Sequence, residues 1–123
     1  MSMNIEEIAR ASYIAFANRD RKRHEELLAE NFHFTSPLDN RIDRQTFYER
    51  CWPNGDTIDG FDFVVTAVTG NRVFVVYEGK STSGKLFRNT EILTIEKGRI
   101  TEVEVYFGWN IPHEAEEGSF VNP

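Results

Sequence analysis

The stretch "FRNTEILTIEKGRITEVEVYFGW", residues 87–109, constrains this chain more than any other. Phe87, Asn89, Glu91, Leu93 and Ile95 alternate along its first half, and Val103, Val105, Phe107 and Trp109 along its second. A period of two on both sides of "EKG" predicts an antiparallel hairpin with one apolar face. That face contains an amide, Asn89, and a carboxylic acid, Glu91. An ionised carboxylate is costly among apolar side chains. The register of the hairpin therefore decides what Glu91 is for.

Two turns are possible. A two-residue loop, Lys97-Gly98, pairs Glu96 with Arg99 and sets Glu91 against Glu104, on a wet face shared with Glu102. A three-residue loop, Glu96-Lys97-Gly98, pairs Ile95 with Arg99 and sets Glu91 against Val103, on the apolar face. The short loop wants a positive φ at lysine, which is unfavourable. The longer loop ends on a left-handed glycine, as "EKGR" allows. The expectation is the three-residue loop with Glu91 inward. Burial then raises its pKa unless a cation or several donors face it. A neutral carboxylic acid can donate to a ligand oxygen that gains negative charge. The alternative is a buried polar group satisfied by Asn89, Tyr13 or Ser12, or paired with Arg88 or Arg50 near the rim.

The rest of the chain surrounds that hairpin with helices and more strands. "NIEEIARASYIAFAN" carries Ile5, Ile8, Ala9 and Phe16 on one helical face, opened by an Asn4–Glu7 capping pair. "RDRKRHEELLAEN" predicts a second helix over 19–31, capped by Asp20, with Leu27 and Leu28 inward. "NFHFTSP" alternates as a short strand stopped by Pro37, with Phe32, Phe34 and Ser36 on one side. "DRQTFYERCWP" starts on a capping Asp43 and stops before Pro53, with Phe47 and Cys51 on one face and Tyr48 and Trp52 beside it. Strands follow at 60–69, 72–82, 86–96 and 99–109, then a polar tail over 111–123. Helices first and a meander last predict an α+β domain: three N-terminal helices on a curved, mostly antiparallel sheet, enclosing a hollow suited to a ligand.

A chain of 123 residues supports one domain, 1–123, with its core over about 4–110. Hydrophobic residues at 40% and charged residues at 28% give a globular balance. No apolar run approaches the roughly 18 to 20 residues of a membrane span, so no membrane partner is expected. The net charge of −6 argues against nucleic acid, and "RDRKRH" (19–24) reads as a solvated helix start. The first residues lack a signal peptide's pattern and Cys51 is the only cysteine, so a cytoplasmic location is expected. His24, His33 and His113 are isolated in sequence, and neither a metal nor a cofactor is expected. "GKST" (79–82) mimics a phosphate loop, but Phe74 replaces its first glycine and strand follows. Cys51 reads as a buried, inert thiol. Asp39, three residues past Ser36, either reaches the pocket mouth as a base or makes an ordinary turn. Trp52, Trp109, Phe34 and Phe107 either line an aromatic cavity or fill the core.

Taken together, "YIAFANRD", "LLAENFHFTSPL" and the 87–109 hairpin, in this helix and strand order, resemble the nuclear transport factor 2-like superfamily and its SnoaL-like branch. The resemblance covers about residues 4–110 and is most specific in the final hairpin. It implies a conical α+β barrel, a hydrophobic pocket between sheet and helices, and a homodimer packed through the sheet. Ketosteroid isomerases are relatives. By that resemblance Glu91 falls at their oxyanion-binding Asp, and Ser36, followed by Pro37, at their general-base Asp. Their oxyanion tyrosine falls at Ser12 or at Tyr13. Serine cannot be that base unaided. The similar SnoaL-type cyclases rely on one acid/base carboxyl in the pocket. The expected function is binding of a small apolar, oxygen-bearing molecule, with isomerase- or cyclase-type proton transfer. Glu91 would be donor or acid/base, Tyr13 and Asn89 would orient the ligand, and Asp39, or Ser36 with a water, would stand in for the base. Phe34, Trp52, Val105, Phe107 and Trp109 would line the pocket. The alternative is a non-catalytic binding or assembly module with the same pocket.

Overall fold

Side-chain caps start each helix where the sequence places them. Asn4 and Glu7 form a reciprocal capping box at 2.8 and 3.0 Å, opening α1, Ile5–Ala17. Asp20 accepts from Arg23 N to open α2, Arg21–Leu27. Asp43 accepts from Thr46 N to open α3, Arg44–Arg50, and Pro53 enters a 3-10 turn over Trp52–Thr57. The computed structural model describes residues 3–123. No helix among them is long and apolar enough to cross a membrane.

The second helix is shorter than expected. It ends at Leu27, and the chain is already extended at Leu28, opening β1, Leu28–Ser36. The reason is tertiary. Leu28, only 2% exposed, pairs in parallel with Ile100, and burial there outweighs the helical preference of "LLAEN". The segment "DNRID", to which the sequence reading assigns no strand, is strand β2, Asp39–Asp43, which folds back on β1 about Pro37-Leu38. The remaining strands are β3, Ile58–Thr69, β4, Arg72–Ser81, β5, Leu86–Glu96, and β6, Arg99–Ile111.

The six strands form one curved, unclosed sheet in the order β2-β1-β6-β5-β4-β3. All pairs are antiparallel except β1 with β6. The three helices pack on its inner face, as the α+β reading requires. Phe32, Leu28, Leu93, Ile100, Val73 and Val75 are the largest fully buried side chains of the layer between. Beyond Ile111 the tail has neither helix nor strand.

The β5–β6 turn corrects the sequence reading. Lys97 (φ 51°) and Gly98 (φ 78°) are both left-handed, and Glu96 pairs with Arg99. This is the two-residue loop, accepted with lysine in the unfavourable position because its twist matches that of the strands. Glu91 nonetheless faces inward. Ile95 pairs with Ile100, but Thr94 pairs with Glu102, so Thr101 is an extra residue on β6. This bulge shifts the register by one and places Glu91 opposite Val105. A second bulge sets Gly108 and Trp109 against Arg88. There a Cβ on Gly108 would lie 2.0 Å from the Arg88 carbonyl oxygen, so only glycine fits.

Candidate functional site

Between the helices and the inner face of the sheet lies a cavity of about 220 Å³. Seven phenylalanines line it, and its few polar groups therefore stand out against an aromatic wall. Four of them cluster on one side: Tyr13 from α1, Tyr77 from β4, and Asn89 and Glu91 from β5.

Register builds this cluster. Tyr77 pairs across the strands with Asn89, and Val75 with Glu91, so Tyr77 sits diagonally from the carboxyl group. Tyr77 Oη donates to Glu91 Oε2 at 2.5 Å and accepts from Asn89 Nδ2 at 3.3 Å. Asn89 Oδ1 in turn accepts from Gly108 N at 3.1 Å, so the second bulge anchors the amide. Burial raises the Glu91 carboxyl to about 7, while hydrogen bonds from the tyrosine hydroxyls pull it down. Glu91 is part of the cavity lining. The rim cations do not reach it: Arg88 pairs with Glu78 and Arg50 with Asp39. Tyr13 lies beside the same carboxyl, but its buried hydroxyl makes no hydrogen bond of full geometry. It is a donor that leans on Glu91 but closes no full hydrogen bond among the described residues.

A second polar group stands on another side. His24 of α2 lines the cavity and shares a 2.7 Å hydrogen bond, through Nδ1, with Tyr48 Oη of α3. Burial first, then the charges of Arg44 and Arg19, hold its pKa near 4, so the ring is neutral. Cys51 also lines the cavity, as a thiol pushed up to about 11 by burial.

Of the residues singled out from sequence, Ser12, Tyr13, Phe34, Asn89, Glu91, Val105 and Phe107 line the cavity. Ser12 Oγ donates to Ala9 O at 2.7 Å within its own helix, which leaves Tyr13 as the α1 hydroxyl directed at Glu91. Ser36, Asp39, Trp52 and Trp109 lie elsewhere. Asp39 accepts from Ser36 Oγ at 2.8 Å and pairs with Arg50, so Ser36 and Asp39 satisfy each other at the β1–β2 turn. Trp52 is buried against Phe16 and His24, with the Arg19 guanidinium 4.3 Å from its ring centroid. Trp109, past the second bulge, is 53% exposed. Sequence reasoning missed Tyr77 and His24. The alternation of Val73, Val75 and Tyr77 signals an inward tyrosine. Nothing local signals His24, whose partner is 24 residues away.

The SnoaL-like domain model matches residues 9–103. No curated protein matches the sequence significantly. A structure from Kribbella flavida DSM 17836 is similar at TM-score 0.75 and 21% identity, over 83% of this chain and 84% of that one. A nuclear transport factor 2-like protein of unknown function from Cytophaga hutchinsonii is similar at TM-score 0.68 and 24% identity, over 88% and 93%. A de novo designed protein with a curved β-sheet reaches TM-score 0.73 at 13% identity, over 85% and 84%. At such identities the likeness is one of fold, and a designed neighbour shows how little that fold says about chemistry. The model spans most of the chain, and the helices and curved sheet are arranged as in these structures, so the protein has the fold of the nuclear transport factor 2-like proteins and belongs to the SnoaL-like family.

Proposed function

We propose that the cavity binds a small, apolar, oxygen-bearing molecule and that Glu91 exchanges a proton with it. The observation that carries this reading is a carboxyl group titrating near 7 inside an aromatic cavity, gripped by a tyrosine and free of any cation. A base poised near working pH is well matched to removing a proton from carbon beside a carbonyl group. Tyr13, whose hydroxyl closes no full hydrogen bond among the described residues, is the donor available to the oxygen that gains charge. One carboxyl group would take the proton and return it either at another carbon, in an isomerisation, or to the oxygen of the carbonyl group that the new carbon–carbon bond opens, in a ring closure.

The test needs no knowledge of the natural substrate. The α-hydrogens of 1-tetralone, a two-ring ketone, are followed by NMR for exchange in heavy water. The protein is expected to accelerate exchange above buffer, and Glu91→Gln to remove at least about a hundredfold of that. Binding without exchange would end the proton-transfer reading. The second reading, a binding module, would then stand. It is favoured by the placement of Asp39, tied to Arg50 and Ser36 outside the cavity.

The partner expected of the other sheet face is a second copy of the chain. Val65, Phe74, Val76, Ile92 and Tyr106 share that face by register, and Val65 and Tyr106 are each 53% exposed. An apolar sheet face of this kind favours association.

A further inference from the structure

The cavity wall also holds His24, a polar group that the Glu91 chemistry does not use. His24 is 5% exposed, yet it lines the cavity. Its ring is fixed from several sides. It stacks on Phe47 at 5.8 Å and 8°, lies 4.9 Å from Trp52, and meets Tyr48 edge-on. The bond between Nδ1 and Tyr48 Oη has a preferred sense. A phenol is a stronger acid than a neutral imidazole N–H, and an imidazole nitrogen is the stronger base. The phenol therefore donates to Nδ1, and the ring proton sits on Nε2. Nε2 has no hydrogen-bond partner among the described residues. The Arg44 guanidinium lies 5.5 Å from the Tyr48 ring, and Arg19 packs on Trp52, so cations on both flanks oppose a charged imidazole. His24 is thus a neutral donor.

The two polar groups are separated by rings. His24 lies 6.2 Å from Phe16, Phe16 lies 6.2 Å from Phe61, and Phe61 lies 5.1 Å from Tyr77. Phe16 and Phe61 both line the cavity. A molecule that satisfies both ends carries oxygen at each, with an apolar body between.

Resting on the reading of the cavity as a ligand site, we propose that His24 Nε2–H is its second hydrogen-bond donor and selects ligands with an acceptor oxygen across an apolar body from the oxygen that meets Tyr13 beside Glu91. The acceptor is a neutral ether, carbonyl or hydroxyl oxygen.

The probes are 6-methoxy-1-tetralone and 6-ethyl-1-tetralone, equal in shape and differing in one acceptor oxygen. Calorimetry gives the ratio of their affinities, and ¹⁵N NMR reports the His24 tautomer and its response to each. The wild type is expected to show the Nε2–H tautomer, with Nε2 shifting on binding the methoxy ketone and not the ethyl one. The methoxy-to-ethyl affinity ratio is expected to fall about three- to tenfold in His24→Phe, the range of one hydrogen bond. Tyr48→Phe keeps the imidazole ring but frees its tautomer, and is expected to narrow the ratio; it decides the matter if His24→Phe does not fold. An unchanged ratio in both variants, or a wild-type Nδ1–H tautomer, overturns the proposal and leaves the Glu91 reading intact. Failure of both ketones to bind the wild type overturns both.

Discussion

Glu91 and His24 titrate in overlapping ranges with opposite consequences for stability. Folding raises the Glu91 carboxyl from 4.5 to about 7. Between those values the folded chain holds more protons at this site than the unfolded one, so stability from Glu91 is complete at low pH and is lost as pH rises through 7. Folding lowers His24 from 6.5 to about 4. There the unfolded chain holds more protons, so stability from His24 is complete above 6.5 and is lost as pH falls through 4. The two slopes nearly cancel in the wild type between about pH 4.5 and 6.5. Glu91→Gln removes one of them. The variant is expected to lose stability, relative to wild type, as pH falls from 7 to 5, by up to about 3 kcal/mol. Urea unfolding of both proteins at three pH values measures the difference. Parallel curves would show that Glu91 is solvated like any surface carboxylate, and the case for its chemistry would end there.

At the scale of elements, the Lys97-Gly98 turn shows how a sound local rule can lose. Lysine at φ 51° carries a left-handed cost of about 1 kcal/mol, which the strand twist and the β5–β6 pairing outweigh. Lys97→Asn removes most of that cost, because asparagine tolerates the left-handed region. The expected gain is about 0.5–1 kcal/mol, or roughly 2–4 °C in Tm. An unchanged or lower Tm by calorimetry would mean that the turn is not of this type. The inward side of Glu91 was legible from alternation, since the apolar set around Leu93 and Ile95 has only one face to bury. The register that places it there was not. It depends on Thr101, an extra residue whose sequence, "RITEVE", carries no glycine or proline to mark a bulge. The end of α2 was hidden for a similar reason. Leu28 is a good helix former, and only its pairing with Ile100, far along the chain, makes it strand.

For the whole molecule, what the sequence leaves unread is what tertiary contact alone decides. Caps, the meander and the acid in the apolar face are local patterns. The meeting of Tyr77 with Glu91, of His24 with Tyr48, and of Asp39 with Arg50 are long-range facts with no local trace. The same holds for the outer sheet face, where Ile92 pairs with Phe74 on one side and Glu104 on the other. Association through this face would bury Val65, Phe74, Val76 and Ile92, but it would also bring together two chains of net charge −6, with Glu102 and Glu104 on the adjoining β6. Apolar burial favours the dimer and like charge opposes it. Salt screens the second term and leaves the first, so dimerisation is expected to strengthen between 0.05 and 0.5 M salt, as the Debye length falls from roughly 14 to 4 Å. Sedimentation is expected to give twice the chain mass of 14.3 kDa for the wild type, and one chain mass for Ile92→Lys. Ketone binding should survive in Ile92→Lys, because Ile92 points away from the cavity. A wild type that stays monomeric at high salt would leave this face for a different partner. A dimer that Ile92→Lys does not weaken would place the contact elsewhere, at the exposed Phe107 and Trp109 end of β6, beside the cavity mouth.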